Sequence, residues 1–182
     1  RGTGTEFTTR VVGGTIPKNF IPAVEKGALE ALQEGILAGF PVTDVRATVY
    51  DGSFHPVDSS EICFKIAGAG AFKKGLTDGH SILLEPIMNL HVTVPNEYTG
   101  DILSDLNSKR GRMQGMNPQG DINTIDAQVP LAEVLNYAID LKSITQGRGT
   151  FTLEFVRYEE VPSNITQKII AKRQAEKTAE KV

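Results

Sequence analysis

The sequence predicts an α+β protein of two domains, and three observations support this fold class. Short β-rich segments alternate with amphipathic helices along the chain. The second half follows the order strand, helix, strand, strand, helix, strand (βαββαβ), in which two helices cover one face of an antiparallel sheet, as in the ferredoxin-like fold. Residues 77–80 have the composition of a linker, so we place the domains at residues 1–80 and 81–182.

The first domain begins with a β-rich run at residues 6–12, which a pair of glycines at 13–14 closes. Apolar or small residues then recur with helical period over residues 24–36 and predict an amphipathic helix. Residues 42–50 alternate between apolar and polar side chains, the period of a half-buried strand. The predicted order is therefore strand, helix, strand.

A loop at residues 51–58 follows, and a second helix is predicted to run to about Lys74. Asp58 lies three positions before Glu61, the spacing with which a polar residue and a glutamate cap the first turn of a helix. Within this helix, alternating glycine and alanine at residues 67–71 leave little side chain on any face. We therefore expect this segment to pack closely against a neighbouring element.

The second domain supplies the remaining elements. Each of its two helices carries one apolar face that can lie on a sheet. The predicted strands are residues 83–94, 112–117, 122–129 and 150–159, and the predicted helices are residues 97–109 and 131–143. A last helix is predicted over residues 163–182, apolar at its start and charged towards its end.

Composition limits the functions that the chain can have. Its 182 residues are 40% hydrophobic, with no run of 18 apolar residues and no signal sequence, so we expect a cytoplasmic protein that does not enter a membrane. The single cysteine, Cys63, fits a reducing compartment. A net charge of −3 argues against coating nucleic acid by charge, so any RNA contact must be local. The chain starts at Arg1 rather than at a methionine, which indicates a piece of a longer protein.

The loop at residues 51–58 is the first candidate site. Its aromatic rings, glycine and proline suit stacking on an unpaired base, and a plain surface hairpin is the alternative. His55, Asp58 and Glu61 are side-chain types that serve as acid, base or metal ligand, but Asp58 and Glu61 are already expected to act as caps. We therefore expect no catalytic residue and no metal site. The candidate contacts of this tip are Gly52, Ser53, Phe54, His55 and Pro56.

Two cationic segments beside predicted helix ends form the second candidate site. Cations there complement the helix dipole, which alone would explain them, and RNA contact is the alternative. The candidate contacts are Arg110, Arg112, Lys142, Ser143, Gln146 and Arg148.

Six motifs in the same order and spacing closely resemble elongation factor G over nearly the whole chain. They are Gly13-Gly-Thr-Ile-Pro17 with Ile21-Pro-Ala-Val24, Leu37-Ala-Gly-Phe-Pro-Val42, Asp51-Gly-Ser-Phe-His-Pro-Val-Asp-Ser-Ser-Glu61, Leu83-Leu-Glu-Pro-Ile-Met88, Val129-Pro-Leu-Ala-Glu133 and Thr145-Gln-Gly-Arg148. The resemblance implies that residues to about 80 are an incomplete ribosomal-protein-S5-like βαβ domain, domain IV, without its first strand and glycine-rich tip loop. The rest would be the ferredoxin-like domain V. It also implies that the GTPase domain, which would bind GTP and Mg²⁺, lies outside this chain, so that this fragment is not an enzyme and holds no cofactor.

The resemblance also implies a function. The tip around His55 would reach the 16S RNA of the decoding site while transfer RNA and message are translocated, and Lys142, Ser143 and Gln146 would contact the sarcin-ricin loop of 23S RNA. Members of the family usually carry Arg at the position of Lys142, and Lys keeps the charge but loses the bidentate fork. Two alternatives are a paralogue, such as a ribosomal-protection-type factor, and a small enzyme that uses His55 with Asp58. We expect a monomer.

Overall fold

The computed structural model describes residues 2–179, apart from the side chain of Lys177. Its contacts divide the chain into two compact units, one formed by Arg1–Ile82 with Ser163–Val182 and the other by Leu83–Pro162. The units thus change two residues after the boundary predicted at residue 80. The last segment, which the sequence analysis assigned to the second domain, groups with the first unit. Its residues 180–182 lie outside the described part of the chain.

The elements follow one another in the predicted order. Among the described residues, short 3-10 turns at Lys18–Phe20, Asn96–Tyr98 and Leu131–Glu133 precede three of the helices. No described helix is both long enough and apolar enough to cross a membrane. The strands and helices are β1 (Glu6–Thr9), α1 (Ile21–Glu34), β2 (Arg46–Val49), α2 (Glu61–Asp78), β3 (Leu84–Pro95), α3 (Thr99–Ser108), β4 (Arg112–Gln119), β5 (Ile122–Pro130), α4 (Tyr137–Ile144), β6 (Thr150–Glu160) and α5 (Ser163–Ala179).

In the first unit β1 and β2 form a two-stranded parallel sheet. The strand predicted at residues 42–50 is shorter in the structure because Asp44 turns the chain. Its backbone has a positive φ of 57°, and its carboxylate accepts hydrogen bonds from the amides of Gly2 and Gly4 at 2.9 and 3.0 Å. These two bonds lower the pKa of Asp44. Pairing with β1 therefore begins only at Arg46.

Helices α1 and α2 cross at two glycines. A Cβ atom added to Gly27 would lie 2.0 Å from the Lys65 carbonyl oxygen, and one added to Gly68 would lie 2.8 Å from that of Val24. The close packing predicted for residues 67–71 is thus confirmed at Gly68, while Gly70 has open space around it. Helix α2 also runs on to Asp78, into the segment predicted to be a linker.

The second unit is the predicted ferredoxin-like βαββαβ fold. Its antiparallel sheet has the strand order β4-β5-β3-β6. The helix predicted at residues 131–143 is instead a 3-10 turn followed by α4, because the backbone of Val134 leaves the helical region with a φ of −120°. Helices α3 and α4 cover one face of the sheet, and the core between them contains Leu90, Val92, Val94, Ile102, Leu106, Ile125, Val129, Val134, Tyr137 and Leu141.

Candidate nucleic-acid interface

The loop between β2 and α2, residues 51–58, is held on the first unit by an aromatic anchor; we call it the tip loop. The Phe54 ring lies 5.7 Å from the Phe20 ring, which stacks on Phe64 at 4.7 Å. Gly52 lies against Ile16, since an added Cβ atom would be 2.6 Å from its Cδ1. Phe54 is still 39% exposed, so its ring packs on Phe20 and also keeps part of its surface open to solvent.

His55 is the exposed polar group that this anchoring presents. Its Nδ1 lies 2.9 Å from Asp58 Oδ2, and its side chain is 65% exposed. Two hydrogen bonds also hold the turn between residues 55 and 59. The His55 amide donates to Ser59 Oγ at 2.9 Å, and the Ser59 amide donates to the His55 carbonyl at 3.0 Å. When the ring is neutral and donates a hydrogen bond from Nδ1 to the Asp58 carboxylate, Nε2 is left as a hydrogen-bond acceptor.

Asp58 does not cap α2, contrary to the prediction from its spacing to Glu61. The cap is Ser60, whose hydroxyl accepts a hydrogen bond from the Cys63 amide. The carboxylate of Asp58 pairs with His55 instead. The described residues contain no cluster of three His, Cys, Asp or Glu side chains that could hold a metal ion, so Glu61 does not join the other two in such a site.

The second site surrounds residues 145–149, which we call the α4 exit loop. Thr145 is fully buried, and its hydroxyl donates to the Leu141 carbonyl at 2.7 Å and accepts from the Gly149 amide at 2.9 Å. Gln146 and Gly147 follow with positive φ angles of 53° and 83°. The buried hydroxyl therefore fixes the chain where it leaves the helix, together with the Gly147 amide, which donates to the Lys142 carbonyl at 2.9 Å.

Lys142, Ser143 and Gln146 are exposed beside this loop. Within the described part of the chain, no side-chain hydrogen bond or ion pair involves any of the three. Lys142 and Ser143 lie in the last turn of α4, and Gln146 follows in the exit loop with a positive φ, so the three exposed side chains flank the end of the helix. The structure thus brings together three of the six residues predicted for this site, with their polar groups open to solvent.

The three arginines predicted for the same site have internal partners. Arg110 is half-buried and binds Glu85, with one contact at 3.0 Å, and lies 3.5 Å from Glu133. The hydrogen bond with Glu85 is the main cause of the raised pKa of Arg110. Arg112 and Arg148 are more exposed, with ion pairs to acidic side chains at 3.1 and 2.6 Å.

Arg148 in addition covers an aromatic ring. Its guanidinium carbon lies 4.8 Å from the centre of the Tyr98 ring, and its Nη2 contacts the Tyr98 hydroxyl. That hydroxyl is the main cause of the raised pKa of Arg148. The 2.6 Å ion pair is with Glu97, so a phosphate that bound Arg148 would compete with a carboxylate of the same unit.

Sequence reasoning did not identify the residues that hold these two sites in place. Thr145 has a hydroxyl that local patterns assign to a surface turn, and nothing near it in sequence signals its burial. Phe20 and Ile16 contact the tip loop from more than thirty residues away. The one signal that could have indicated Ile16 is its position, as an apolar residue shortly after the glycine turn at residues 13–14.

Comparisons with known proteins cover both units. Residues 1–80 match the family profile described as "Elongation factor G, domain IV", and residues 82–169 match "Elongation factor G C-terminus". The chain is 53% identical over 179 residues to "Elongation factor G" of Aquifex pyrophilus, which covers 98% of this chain and 26% of that protein. A crystal structure of a Thermus thermophilus protein superimposes with a TM-score of 0.79 and 47% identity over 95% of this chain and 26% of that one. The chain thus spans about a quarter of the length of these relatives.

Proposed function

Because the chain belongs to the elongation factor G family over its domain IV and its C-terminal domain, we propose that it is the ribosome-binding part of a translation elongation factor. The observation that carries the proposal is the match of both units, in the order of the family, at 53% identity to a curated elongation factor G. The chain spans 26% of that relative, so the chemistry of the whole protein would lie largely outside it.

The tip loop is proposed to contact 16S RNA at the decoding site, next to the transfer RNA and message. The geometry that supports this is an exposed imidazole whose orientation is set by Asp58 and whose loop is anchored on Phe20. A neutral His55 held in this way can accept a hydrogen bond through Nε2 from a ribose hydroxyl or a base. Gly52, Ser53 and Pro56 would shape the backbone around it.

The α4 exit loop is proposed to contact the sarcin-ricin loop of 23S RNA. Lys142, Ser143 and Gln146 support this, since they are exposed, flank the end of α4 and carry one cation and two neutral hydrogen-bonding groups. Arg112 and Arg148 would contribute at the margin of the contact once they exchange a carboxylate for a phosphate. Arg110 is proposed to stabilise the fold, because its guanidinium already binds Glu85.

The proposed mechanism is mechanical rather than catalytic. A domain that carries the tip against the codon–anticodon pair biases movement by binding, and the free energy of GTP hydrolysis enters elsewhere. GTP and Mg²⁺ would be bound by a GTPase domain of the longer protein, and the residues of this chain would take no part in the chemistry. We propose a monomer that works in the cytoplasm.

Two measurements on the full-length protein test the proposal. Chemical footprinting of ribosomes should give protection at both the decoding site and the sarcin-ricin loop. His55→Ala should slow single-round translocation about tenfold or more, the worth of one lost base contact, while GTP hydrolysis stays near the original rate. The control is His80→Asn, which removes the other histidine of the first unit at a φ of 52° that asparagine tolerates. An equal loss of both activities in His55→Ala, or no protection at either RNA site, would overturn the proposal.

A further inference from the structure

Positive charge is concentrated at the end of the chain. Residues 163–182 contain five of the nineteen Lys and Arg residues and two of the twenty-two Asp and Glu residues, a formal charge of +3. The other 162 residues carry −6. Helix α5 is therefore the cationic element of an otherwise acidic chain, and most of its cations precede its last turn.

The apolar side chains of α5 are partly buried within the protein. Ile165, Ile169 and Ile170 are half-buried, and Arg173 on the same side lies 5.2 Å from the centre of the Phe40 ring. Arg173 also pairs with Glu176 at 3.3 Å. The contact between Arg173 and Phe40 joins the helix to the rest of the first unit.

An adjacent face, about 100° around the helix from the row Ile165, Ile169 and Arg173, carries exposed polar groups. They are Asn164, Lys168 and Lys172, which we call the α5 stripe. They follow one another at intervals of four residues, so the two lysines lie about 6 Å apart along the helix axis. Neither lysine has an ion pair or hydrogen bond within the described residues. Both precede the last turn, where the helix dipole would explain a cation. Nothing within the described part of the fold accounts for their charge.

We infer that the α5 stripe binds the phosphate backbone of RNA, an inference that rests on the proposed binding to the ribosome. Two regularly spaced, unpaired lysines beside an amide side chain are the groups that contact phosphate and ribose. A protein partner would require exposed apolar side chains at the centre of the contact, and none of the large exposed ones lies in α5 within the described residues. A lipid surface would require an exposed apolar face, and the isoleucines of α5 are half-buried.

The test compares ribosome binding of the full-length protein and of its Lys168→Gln/Lys172→Gln variant over a series of KCl concentrations. Each phosphate contact contributes about 0.7–0.9 to the slope of log K against log salt, so the variant should lose about 1.4–1.8 from that slope. The matched control is Lys18→Gln/Lys26→Gln, which removes two exposed lysines of the same unit and should leave the slope unchanged. Lys168→Arg/Lys172→Arg should bind as the original protein does.

An unchanged slope in the Lys168→Gln/Lys172→Gln variant, or an equal change in the control, would overturn the inference. Binding of the variant to anionic vesicles and to an acidic protein is measured as well. If that binding falls while the RNA footprint stays intact, the inference is also overturned. The variant Lys142→Ala tests the proposed function separately, because Lys142 belongs to the proposed contact with the sarcin-ricin loop. If that variant weakens binding and the α5 variant does not, the α5 inference alone fails. If the full-length protein does not bind ribosomes at all, the proposed function fails.

Discussion

Asp58 Oδ2 lies 2.9 Å from His55 Nδ1 at the exposed end of the tip loop. The two residues are three positions apart, and the hydrogen bonds between Ser59 and the His55 backbone hold the turn that brings them together. The pair resembles the carboxylate–imidazole arrangement of catalytic sites, in which the carboxylate selects one tautomer. Here both side chains are well exposed, so the arrangement orients a hydrogen-bonding group and creates no enclosed site.

Asp58→Asn should have a smaller effect on translocation than His55→Ala. An exposed polar contact of this kind contributes up to about 1 kcal/mol, so loss of the carboxylate should slow single-round translocation less than about fivefold. The amide oxygen of Asn can still accept a hydrogen bond from His55 Nδ1–H, which preserves part of the orientation. Rapid-kinetic measurement of translocation by the full-length protein checks this. A defect in Asp58→Asn as large as that of His55→Ala would mean that Asp58 itself contacts the RNA.

Gly27 and Gly70 should respond to alanine in opposite directions. The added Cβ atom of Gly27→Ala would lie 2.0 Å from the Lys65 carbonyl oxygen, so α1 and α2 must separate and the free energy of unfolding should fall by about 1–3 kcal/mol or more. Gly70→Ala meets nothing within 4 Å and should raise it by about 0.5–1 kcal/mol through helix propensity. Urea unfolding of both variants provides the comparison. Equal destabilisation would show that the helix crossing does not depend on Gly27.

The elements of this fold were predictable because periodicity is a local property. The helical stripe that starts near Val24 and the alternation around β2 each extend over a few neighbouring residues, and the βαββαβ order follows when such local segments are read one after another. Long-range partners were not predictable. The carboxylate that binds Arg110 lies 25 residues away at Glu85, so the sequence alone could not separate this arginine from the open contacts. The cap was predicted at Asp58 rather than Ser60 because Asp58 has a glutamate three positions later, whereas Ser60 has Cys63 there.

The internal role of Arg110 leads to a stability prediction. Arg110→Gln leaves Glu85, which is 8% exposed, without its charged partner, and breaking a buried ion pair in this way costs about 3–5 kcal/mol. Lys142→Gln removes an exposed cation that has no internal partner among the described residues and should change stability by less than about 0.5 kcal/mol. Chemical unfolding of the two variants checks the contrast. A stable Arg110→Gln variant that loses RNA binding would instead restore Arg110 to the proposed interface.

The buried hydroxyl of Thr145 should control the order of the α4 exit loop. Thr145→Val keeps the volume but removes the acceptor of the Gly149 amide, and an unsatisfied buried donor costs about 1–3 kcal/mol. Thr145→Ser keeps the hydroxyl and should recover most of that stability. Hydrogen exchange at the Gly149 amide measures the bond directly, and it should speed up in Thr145→Val but not in Thr145→Ser.

The same pair of variants separates loop geometry from general stability. Because Gln146 directly follows Thr145, the valine variant should also weaken protection of the sarcin-ricin loop by the full-length protein. Protection at the decoding site should remain, because the tip loop proposed to contact it lies in the other unit. Loss of protection at both RNA sites would point to unfolding rather than to displacement of the loop. Full protection in Thr145→Val, together with rapid exchange at Gly149, would show that RNA binding does not require the ordered exit loop.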